Sequence, residues 1–348
     1  MKEFFTLSLA KKNDQIEIMS FIKKNWLDTH ILANNTKFFN YQYFYKKNFQ
    51  FILAKDTKKR LKGILGFIQY NPDYAEQDIF LALWKVLPNQ KDPILGIKLI
   101  KYLRENVPHK YIHCVGINKK ILEIYKFLGY QTGQLDHYVA FNQNCSKFII
   151  SRPPQNLKKI NFKFKYEFKV KNNPRNLMAK LKSCKFYKKK IPFKPLEFLY
   201  HRYHDHPYFN YIFLEITEKQ TNIFKGLIIL RKVIYKNSTA LRIIDIISDD
   251  ENIPLIINDT AGIINNTNYE YIDVYVSGIN NKKFLNNNFE NIIKDNNIIV
   301  PDHFDPFEKK NNDILYASSN TTKNIFFKGD GDQDQPRLAE TIKGIKNE

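Results

Sequence analysis

Short apolar runs alternate with helix-periodic segments through the first 141 residues of the chain. After the first run, Ile18, Ile22 and Trp26 recur at four-residue steps, the spacing of one helix face, and Asp14 is placed to cap that helix. Basic residues 58–60 separate two later runs, as in an antiparallel hairpin. The strand-like runs occupy residues 6–10, 51–55, 63–70, 78–86, 111–117 and 136–141. This order predicts an α/β fold in which a mixed sheet is flanked by helices.

The run at residues 78–86 leads into the clearest helix start. Asp92 precedes Pro93, which is typical of an N-cap followed by a proline at the first helical position. The predicted helix has one apolar face, made by Ile94, Ile97, Ile100 and Leu103.

A second helix is predicted after residues 111–117. Asn118 can cap it, and Gly129 stands where a left-handed residue ends a helix. Its apolar face contains Ile121, Ile124, Tyr125 and Leu128. The strand at 136–141 is then expected to close this unit.

The second half repeats this order of elements less clearly. Helices are predicted at about 195–205 and after Pro254, with strands at 212–216, 226–234, 241–247 and 269–276. Turn and proline signals mark a boundary near residues 143–158. We therefore predict domains at 1–145 and 158–326, followed by a Gly- and Asp-rich tail at 327–348 that is too polar to pack as an element.

The charge balance points to anionic ligands. Lys and Arg number 55 and Asp and Glu 35, a net charge of +20. Such a surface attracts nucleic acid, anionic lipid or phosphorylated small molecules. The lysines are spread in short groups along the chain, which disfavours nucleic acid as the partner.

Cysteine usage and hydropathy exclude other classes. The three cysteines Cys114, Cys145 and Cys184 have no C-x-x-C spacing, so neither a zinc framework nor a secreted disulfide scaffold is expected. No apolar run approaches the ~18 residues of a membrane span, and the N-terminus lacks a convincing signal sequence. We expect a cytoplasmic protein with reduced thiols and no membrane span.

A phosphate site is predicted at the helix start after residue 91. The first-turn amides of Ile94, Leu95 and Gly96 would face a ligand, because a helix N-terminus carries unpaired N–H groups and a partial positive charge. Lys91 and Lys98 add positive charge. The sequence leaves two alternatives to a phosphate site. Either Gly96 serves only to permit close packing of the helix on the sheet, or the Asp92 carboxylate itself accepts hydrogen bonds from these amides.

These segments resemble the GNAT superfamily of acyl-CoA-dependent N-acyltransferases. Its pattern is a strand ending near V-x-P, a Q/R-x-x-G-x-G/A pyrophosphate loop, and later an Asn with a helix ending Y-x-x-x-G-F/Y. Here the blocks are Val86-Leu87-Pro88, residues 91–96, and Asn118 with Tyr125 to Tyr130. Lys91 and Ile94 depart from the loop pattern. The likeness covers about residues 5–141 and implies tandem GNAT-like units, the C-terminal one degenerate.

The resemblance also implies roles for individual residues. Main-chain groups of Lys85, Val86 and Leu87 would bind the pantetheine and thioester of acetyl-CoA, and Asn118 would contact the same cofactor. Tyr125 maps onto the tyrosine that protonates the departing thiolate; the plainer interpretation is an aromatic on the apolar face of a helix.

The general base is left open by the sequence. Glu76 and Asp78 precede the central strand, and His113 and His137 lie on neighbouring predicted strands. A water relay is an equal alternative. The catalytic candidates are therefore Tyr125, Asp78 and His137.

Two polar clusters lie in the second half. His201, His204, Asp205 and His206 gather at a helix end without a remote ligand pair, so no metal site is expected. Asp330, Asp332 and Asp334 lack the Gly and Glu of a calcium loop. On a loop between the units, these three carboxylates would bind a cationic amine or sugar hydroxyls, unless the tail is merely solvated.

The tail and residues 302–307 also look like the C-terminus of two-unit proteins of bacterial surface-glycan synthesis, such as lipopolysaccharide biosynthesis. That likeness implies an N-acetyltransferase acting on a nucleotide-linked amino sugar. Two rivals remain: a Fem-type transferase that uses aminoacyl-tRNA, and a non-catalytic glycan- or partner-binding module.

Overall fold

The computed structural model describes residues 4–88, 92–157, 159–161, 163–280, 288–292, 297–304 and 306–342, which form two mixed β-sheets. The first sheet has, in spatial order, β1 (Thr6–Lys11), β3 (Asn48–Lys55), β4 (Leu61–Gln69), β5 (Asp78–Val86), β6 (Tyr111–Val115), β15 (Leu315–Ser318) and β7 (Gln131–Gln134), with β2 (Phe44–Tyr45) paired to β3. The predicted strands of the first half are confirmed, and β7 is added.

The second sheet has, in spatial order, β14 (Glu290–Asn291), β8 (Asp136–Phe141), β13 (Tyr271–Val276), β12 (Ser238–Ser248), β11 (Phe224–Tyr235), β10 (Tyr211–Glu218) and β9 (Tyr166–Val170). The sheets therefore confirm the mixed α/β class.

The helices lie between the strands of both sheets. The first half has α1 (Gln15–Asn25), α2 (Ile31–Asn34), α3 (Thr36–Tyr43), α4 (Leu95–Asn106) and α5 (Leu122–Phe127). The second has α6 (Pro174–Ser183), α7 (Leu196–Leu199), which a π-helical turn at Tyr200–His204 continues, α8 (Ile253–Ile264) and α9 (Leu338–Ile342). No helix in the described ranges has the length and hydropathy to cross a membrane.

Each sheet contains a strand from the other half of the chain. The 136–141 strand was expected to close the first unit, but β8 pairs antiparallel with β13 of the second sheet. In return, β15 inserts between β6 and β7. The sheets therefore do not divide at residues 145–158, because strand pairing over more than a hundred residues has no local sequence signal.

The start of α4 differs from the prediction. The helix begins at Leu95, so Ile94 is its N-cap and is 51% exposed. Burial of each large apolar side chain contributes about 1.5–3 kcal/mol. The buried face against the first sheet consists of Leu95, Leu99, Ile100 and Leu103.

The tail packs between the two sheets, which corrects the expectation that it is too polar to do so. The Gly329 amide donates to the carbonyl of Ile244 in β12. Two residues on, Gly331 lies against the Phe80 ring of β5. Asp330, Asp332 and Asp334 are all buried. Asp330 and Asp334 have cationic partners inside the protein, and these ion pairs make the burial of so polar a segment tolerable.

Candidate active site

Strands β5 and β6 separate part-way along their length. They pair in parallel only from Asp78 with Tyr111 to Leu81 with Cys114. β5 continues to Val86, still paired with β4, while β6 ends at Val115 with β15 on its other edge. Among the described residues no strand pairs with residues 82–86 on the β6 side, so main-chain groups there border an opening in the sheet.

Lys85, Val86 and Leu87, predicted to bind the cofactor, lie at this strand end. All three are half-buried. Lys85 and Val86 pair with Ile64 and Gly63 of β4, and the Leu87 amide donates to the carbonyl of Lys62 at 2.9 Å. The β4 edge is thus occupied, and the opposite edge remains for a ligand.

Asp92 lies at the start of α4, where its carboxylate accepts a hydrogen bond from one of the amides predicted to bind phosphate. Its Oδ1 accepts from the Ile94 amide at 3.3 Å, and its other oxygen pairs with the Lys98 ammonium. The Leu95 amide donates to the Asp92 carbonyl at 3.2 Å. Two of the three amides predicted to bind phosphate therefore have internal partners. The carboxylate contact is long and exposed, so an incoming anion can displace it.

The next amides of α4 remain available. Among the described residues, none accepts a hydrogen bond from Gly96 or Ile97. A Cβ at Gly96 would approach the Trp84 ring to 3.1 Å, so the glycine also permits close packing of β5 on α4. The close-packing interpretation of Gly96 is therefore confirmed, and its phosphate role stays a prediction. Lys91 lies outside the described residues.

Tyr125 is buried on α5 beside the opening. Its ring lies 5.9 Å, centroid to centroid, from that of Trp84. Burial and the neighbouring Cys114 thiol raise its pKa well above the ordinary value. The phenol therefore stays neutral at physiological pH.

Asn118 caps the turn that leads into α5. Its side chain accepts from the Lys120 amide at 2.9 Å and is exposed. This is the plain capping role; contact with a cofactor remains a prediction.

Asp78 and His113 meet in a buried hydrogen-bonded chain. The His113 Nε2 lies 3.2 Å from Asp78 Oδ1, and its Nδ1 lies 2.9 Å from Ser318 Oγ. The other Asp78 oxygen accepts from the Phe193 amide at 2.6 Å. The chain joins β5, β6 and β15 to the second half and leaves neither group free as a base. Glu76, by contrast, is exposed.

His137 lies on β8 in the second sheet, and so it does not neighbour the strands of the opening. Its Nε2 is 2.8 Å from Asp273, and its ring stacks on Tyr275. Burial lowers its pKa. Asp273 in turn binds Arg242, so His137 belongs to a buried ionic network of the second sheet.

Two tail carboxylates are neutralised by buried cations. Asp330 lies 2.9 Å from the Lys194 ammonium and accepts from the Tyr70 hydroxyl at 2.8 Å. Asp334 binds Arg231 at 2.7 Å and accepts from the Tyr211 hydroxyl. These two of the three predicted substrate-binding carboxylates hold the tail in place.

Asp332 differs from its neighbours. It is 8% exposed and lies within 4 Å of no cation among the described residues; the Gln333 amide donates to it at 3.2 Å. Burial raises its pKa. The Gln333 side chain rests against Gly116, which follows β6 at the opening. Asp332 is therefore a carboxylate near the opening that can still accept hydrogen bonds or a proton.

A cleft of about 920 Å3 lies between the two halves. One wall has residues 68–78 with Gln42, and the other has residues from 182 to Arg202. Its lining is rich in aromatic rings and carries charges of both signs: Asp73, Glu76, Asp78, Lys182, Lys188, Glu197 and Arg202.

The buried cations were missed by the sequence reasoning. Arg231 and Arg242 interrupt apolar strand runs, a pattern that marks a charge with a buried partner. Lys194 and Arg202 carry no such local signal.

The described residues hold no cluster of His, Cys, Asp and Glu suited to a metal. His206, from the histidine cluster, instead accepts from the amides of Tyr208 and Phe209.

No family model and no curated protein matches this sequence. Solved structures do match. A GCN5-related N-acetyltransferase from Anabaena variabilis aligns with a TM-score of 0.53 and 11% identity, over 90% of this chain and 72% of that one. A GCN5-related glucosamine N-acetyltransferase region of a fungal multi-domain β-N-acetylglucosaminidase aligns at 0.52 and 10%, over 91% of this chain and 38% of that one. The chain thus has the GNAT fold, and its two mixed sheets are consistent with tandem units.

Proposed function

We propose that the protein is an acyl-CoA-dependent N-acyltransferase that moves an acetyl group from acetyl-CoA to a primary amine. The observation that carries this is the opening between β5 and β6, flanked by the free amides of Gly96 and Ile97. In a fold shared with N-acetyltransferases, an unpaired strand edge beside a helix N-terminus suits a ligand with an amide-bearing arm and a diphosphate.

The residues present fit such a donor. The Gly96 and Ile97 amides would hold the diphosphate, with Lys98 released from Asp92 as a further cation. The unpaired edge of Lys85 to Leu87 would hold the pantetheine arm. Asn118 stays a candidate for a peripheral contact.

We assign proton handling to Tyr125 and Asp332. Both lie within electrostatic reach of the Cys114 thiol. In the proposed reaction Asp332 takes a proton from the acceptor ammonium, and the amine nitrogen attacks the thioester carbon. The C–S bond breaks as the Tyr125 phenol protonates the thiolate; the phenolate regains a proton from the amide nitrogen that forms. The products are an amide and free coenzyme A.

This scheme places the base at Asp332. Asp78 is held by His113 and the Phe193 amide, and His137 is bound to Asp273 in the other sheet. No cation of the described residues lies within 4 Å of Asp332, which is on the tail beside the opening.

For the acceptor we propose a nucleotide-linked amino sugar. The interdomain cleft is large enough for a sugar nucleotide, and its aromatic lining suits stacking of a base. The net charge of +20 favours a polyanion. The test is a panel of amino-sugar nucleotides with acetyl-CoA, with free thiol as the readout. Thiol release with at least one member supports the proposal; aminoacyl transfer from aminoacyl-tRNA, with no thiol released from acetyl-CoA by any member, would favour the Fem-type rival.

The non-catalytic alternative rests on Asp92, whose side chain occupies the Ile94 amide. A binding module would show no thiol release with any acceptor and no affinity for coenzyme A. An acyltransferase, by contrast, is expected to bind coenzyme A and to release thiol with at least one acceptor.

A further inference from the structure

Arg202 is a buried cation without a carboxylate partner. It is 4% exposed and lines the interdomain cleft. Within the part of the chain that the structure describes, its Nη2 donates only to the Asp334 carbonyl at 3.3 Å, and its Nε has no acceptor. Among the described residues no carboxylate oxygen lies within 4 Å of it.

The other buried arginines of the second half are paired. Arg231 binds the Asp334 carboxylate, and Arg242 binds Asp273 at 2.7 Å and Asp302 at 2.9 Å. A buried charge left unpaired costs several kcal/mol. A position that keeps such a charge without a partner is typical of a site whose partner is a ligand.

Gln42 adds a second unpartnered group in the same cleft. It is 8% exposed, and neither its Nε2 nor its Oε1 has a hydrogen-bond partner among the residues that the structure describes. Buried side-chain amides normally satisfy both atoms. The donor of Gln42 together with the guanidinium of Arg202 suits an oxyanion, and its oxygen accepts from a neighbouring hydroxyl or N–H.

The acidic groups near Arg202 do not satisfy it. Asp334 is already bound by Arg231 and the Tyr211 hydroxyl. Asp332 acts on Arg202 through its charge but lies beyond ion-pair distance. Arg202 and Asp332 are therefore two opposite charges, each unpaired, within electrostatic reach of each other. That arrangement complements a ligand that carries both an oxyanion and an amine.

We propose that Arg202 and Gln42 form an oxyanion subsite in the interdomain cleft, which binds a phosphate or carboxylate of the acceptor while the acceptor amine faces Asp332. The role of this ligand as acceptor rests on the proposed function; the binding of the oxyanion does not. The subsite defines the acceptor as an anionic amine and excludes simple polyamines as substrates.

Calorimetric titration of the full chain tests the subsite with three probes: inorganic pyrophosphate, uridine diphosphate and malonate. Each titration is run with and without saturating coenzyme A, because a diphosphate also suits the start of α4. We expect one-to-one binding of at least one probe that persists with coenzyme A. The affinity falls at least tenfold in Arg202→Gln and at least threefold in Gln42→Leu. Preference for the two phosphates over malonate identifies the oxyanion as a phosphate.

The matched control is Arg175→Gln, which removes an exposed arginine outside the cleft and leaves the affinity unchanged. No binding of any probe to the wild type, or unchanged affinity in Arg202→Gln, overturns the subsite. If probes bind as expected but no acceptor panel releases thiol, the acyltransferase proposal fails and the subsite stands. If thiol is released from anionic amines with Arg202→Gln as efficiently as with the wild type, the subsite fails and the acyltransferase stands.

Thermal unfolding separates a ligand-binding arginine from a structural one. Since Arg202 has no carboxylate to leave behind, Arg202→Met keeps or raises the Tm of the free protein. Arg242→Met leaves Asp273 and Asp302 uncompensated and lowers the Tm markedly. An equal loss of Tm in the two variants would assign Arg202 a structural role and overturn the proposal.

Discussion

The Lys194 ammonium lies 2.9 Å from a carboxylate oxygen of Asp330, and this buried ion pair fastens the tail to the second half of the chain. The same ammonium lies 2.7 Å from Asp245 of β12. Lys194→Met would leave two buried carboxylates without a cation and is expected to cost about 3–5 kcal/mol of unfolding free energy. Asp330→Asn should cost less, because Lys194 keeps Asp245. Urea unfolding of both variants measures this; equal losses would contradict the shared pair.

Tyr125→Phe tests the proposed acid. Coenzyme A affinity should stay within about twofold, while turnover falls about 10²-fold, because the thiolate then leaves without a proton donor. Tyr130→Phe is the matched control: Tyr130 is also buried, and its hydroxyl has no partner among the described residues. Unchanged turnover in Tyr125→Phe would remove this residue from the mechanism.

Asp92→Asn is expected to strengthen coenzyme A binding. It removes a negative charge from the start of α4 and frees Lys98. An anion at a helix N-terminus gains about 0.3–1 kcal/mol, which corresponds to roughly two- to fivefold in Kd. Glu105→Gln, near the other end of the helix, should leave the Kd unchanged. Weaker binding in Asp92→Asn would mean that the carboxylate organises the site instead of competing for it.

The pH dependence of turnover reports Asp332. Burial raises the pKa of this carboxyl, offset in part by the Gln333 amide and Arg202. A base acts only when ionised, so kcat/KM should rise with pH through a pKa above the ordinary carboxyl value of about 4. Asp332→Asn should abolish this acid limb and lower turnover. Asp28→Asn, which changes an exposed carboxylate, should leave the acid limb and the turnover unchanged. A limb that persists in Asp332→Asn would place the base elsewhere.

His30 links stability to pH. Burial lowers its pKa to about 4, and the Leu32 amide donates to its Nδ1 at the start of α2. The unfolded chain takes up a proton near pH 6.5 and the folded protein only near 4. The contribution of neutral His30 to the free energy of unfolding is therefore complete above pH 6.5. It falls by about 3 kcal/mol as the pH drops toward 4. His30→Asn keeps a cap acceptor, so the drop in urea-unfolding free energy between pH 7.5 and 4 should shrink by that amount.

The local elements followed from the sequence because alternation and capping are local signals. Residues 78–86 form β5 as predicted, and Gly129 takes the left-handed conformation that ends a helix, with φ +79°. The exchange of β8 and β15 did not follow, since a strand's pattern gives its buried face and not its partner. Ile94 was placed on the buried face because the helix was expected to begin at Pro93, two residues early.

The site was only partly predictable for a related reason. The strand end, the helix start and Tyr125 come together as the motif spacing implied. The tail carboxylates were identified, but their partners were not: Lys194 and Arg231 lie about a hundred residues or more away in sequence. The distinction between Asp332 and its two neighbours depends on those distant cations and is absent from the D-x-D-x-D pattern itself.

The central claim is that the donor binds in the opening between β5 and β6, and a crystal structure of the protein with coenzyme A tests it most directly. We predict the diphosphate at the amides of Gly96 and Ile97, the Asp92 side chain turned away, and the thiol between the unpaired edge of β5 and Tyr125. Coenzyme A bound elsewhere, or excluded with Asp92 still on the Ile94 amide, would contradict the account.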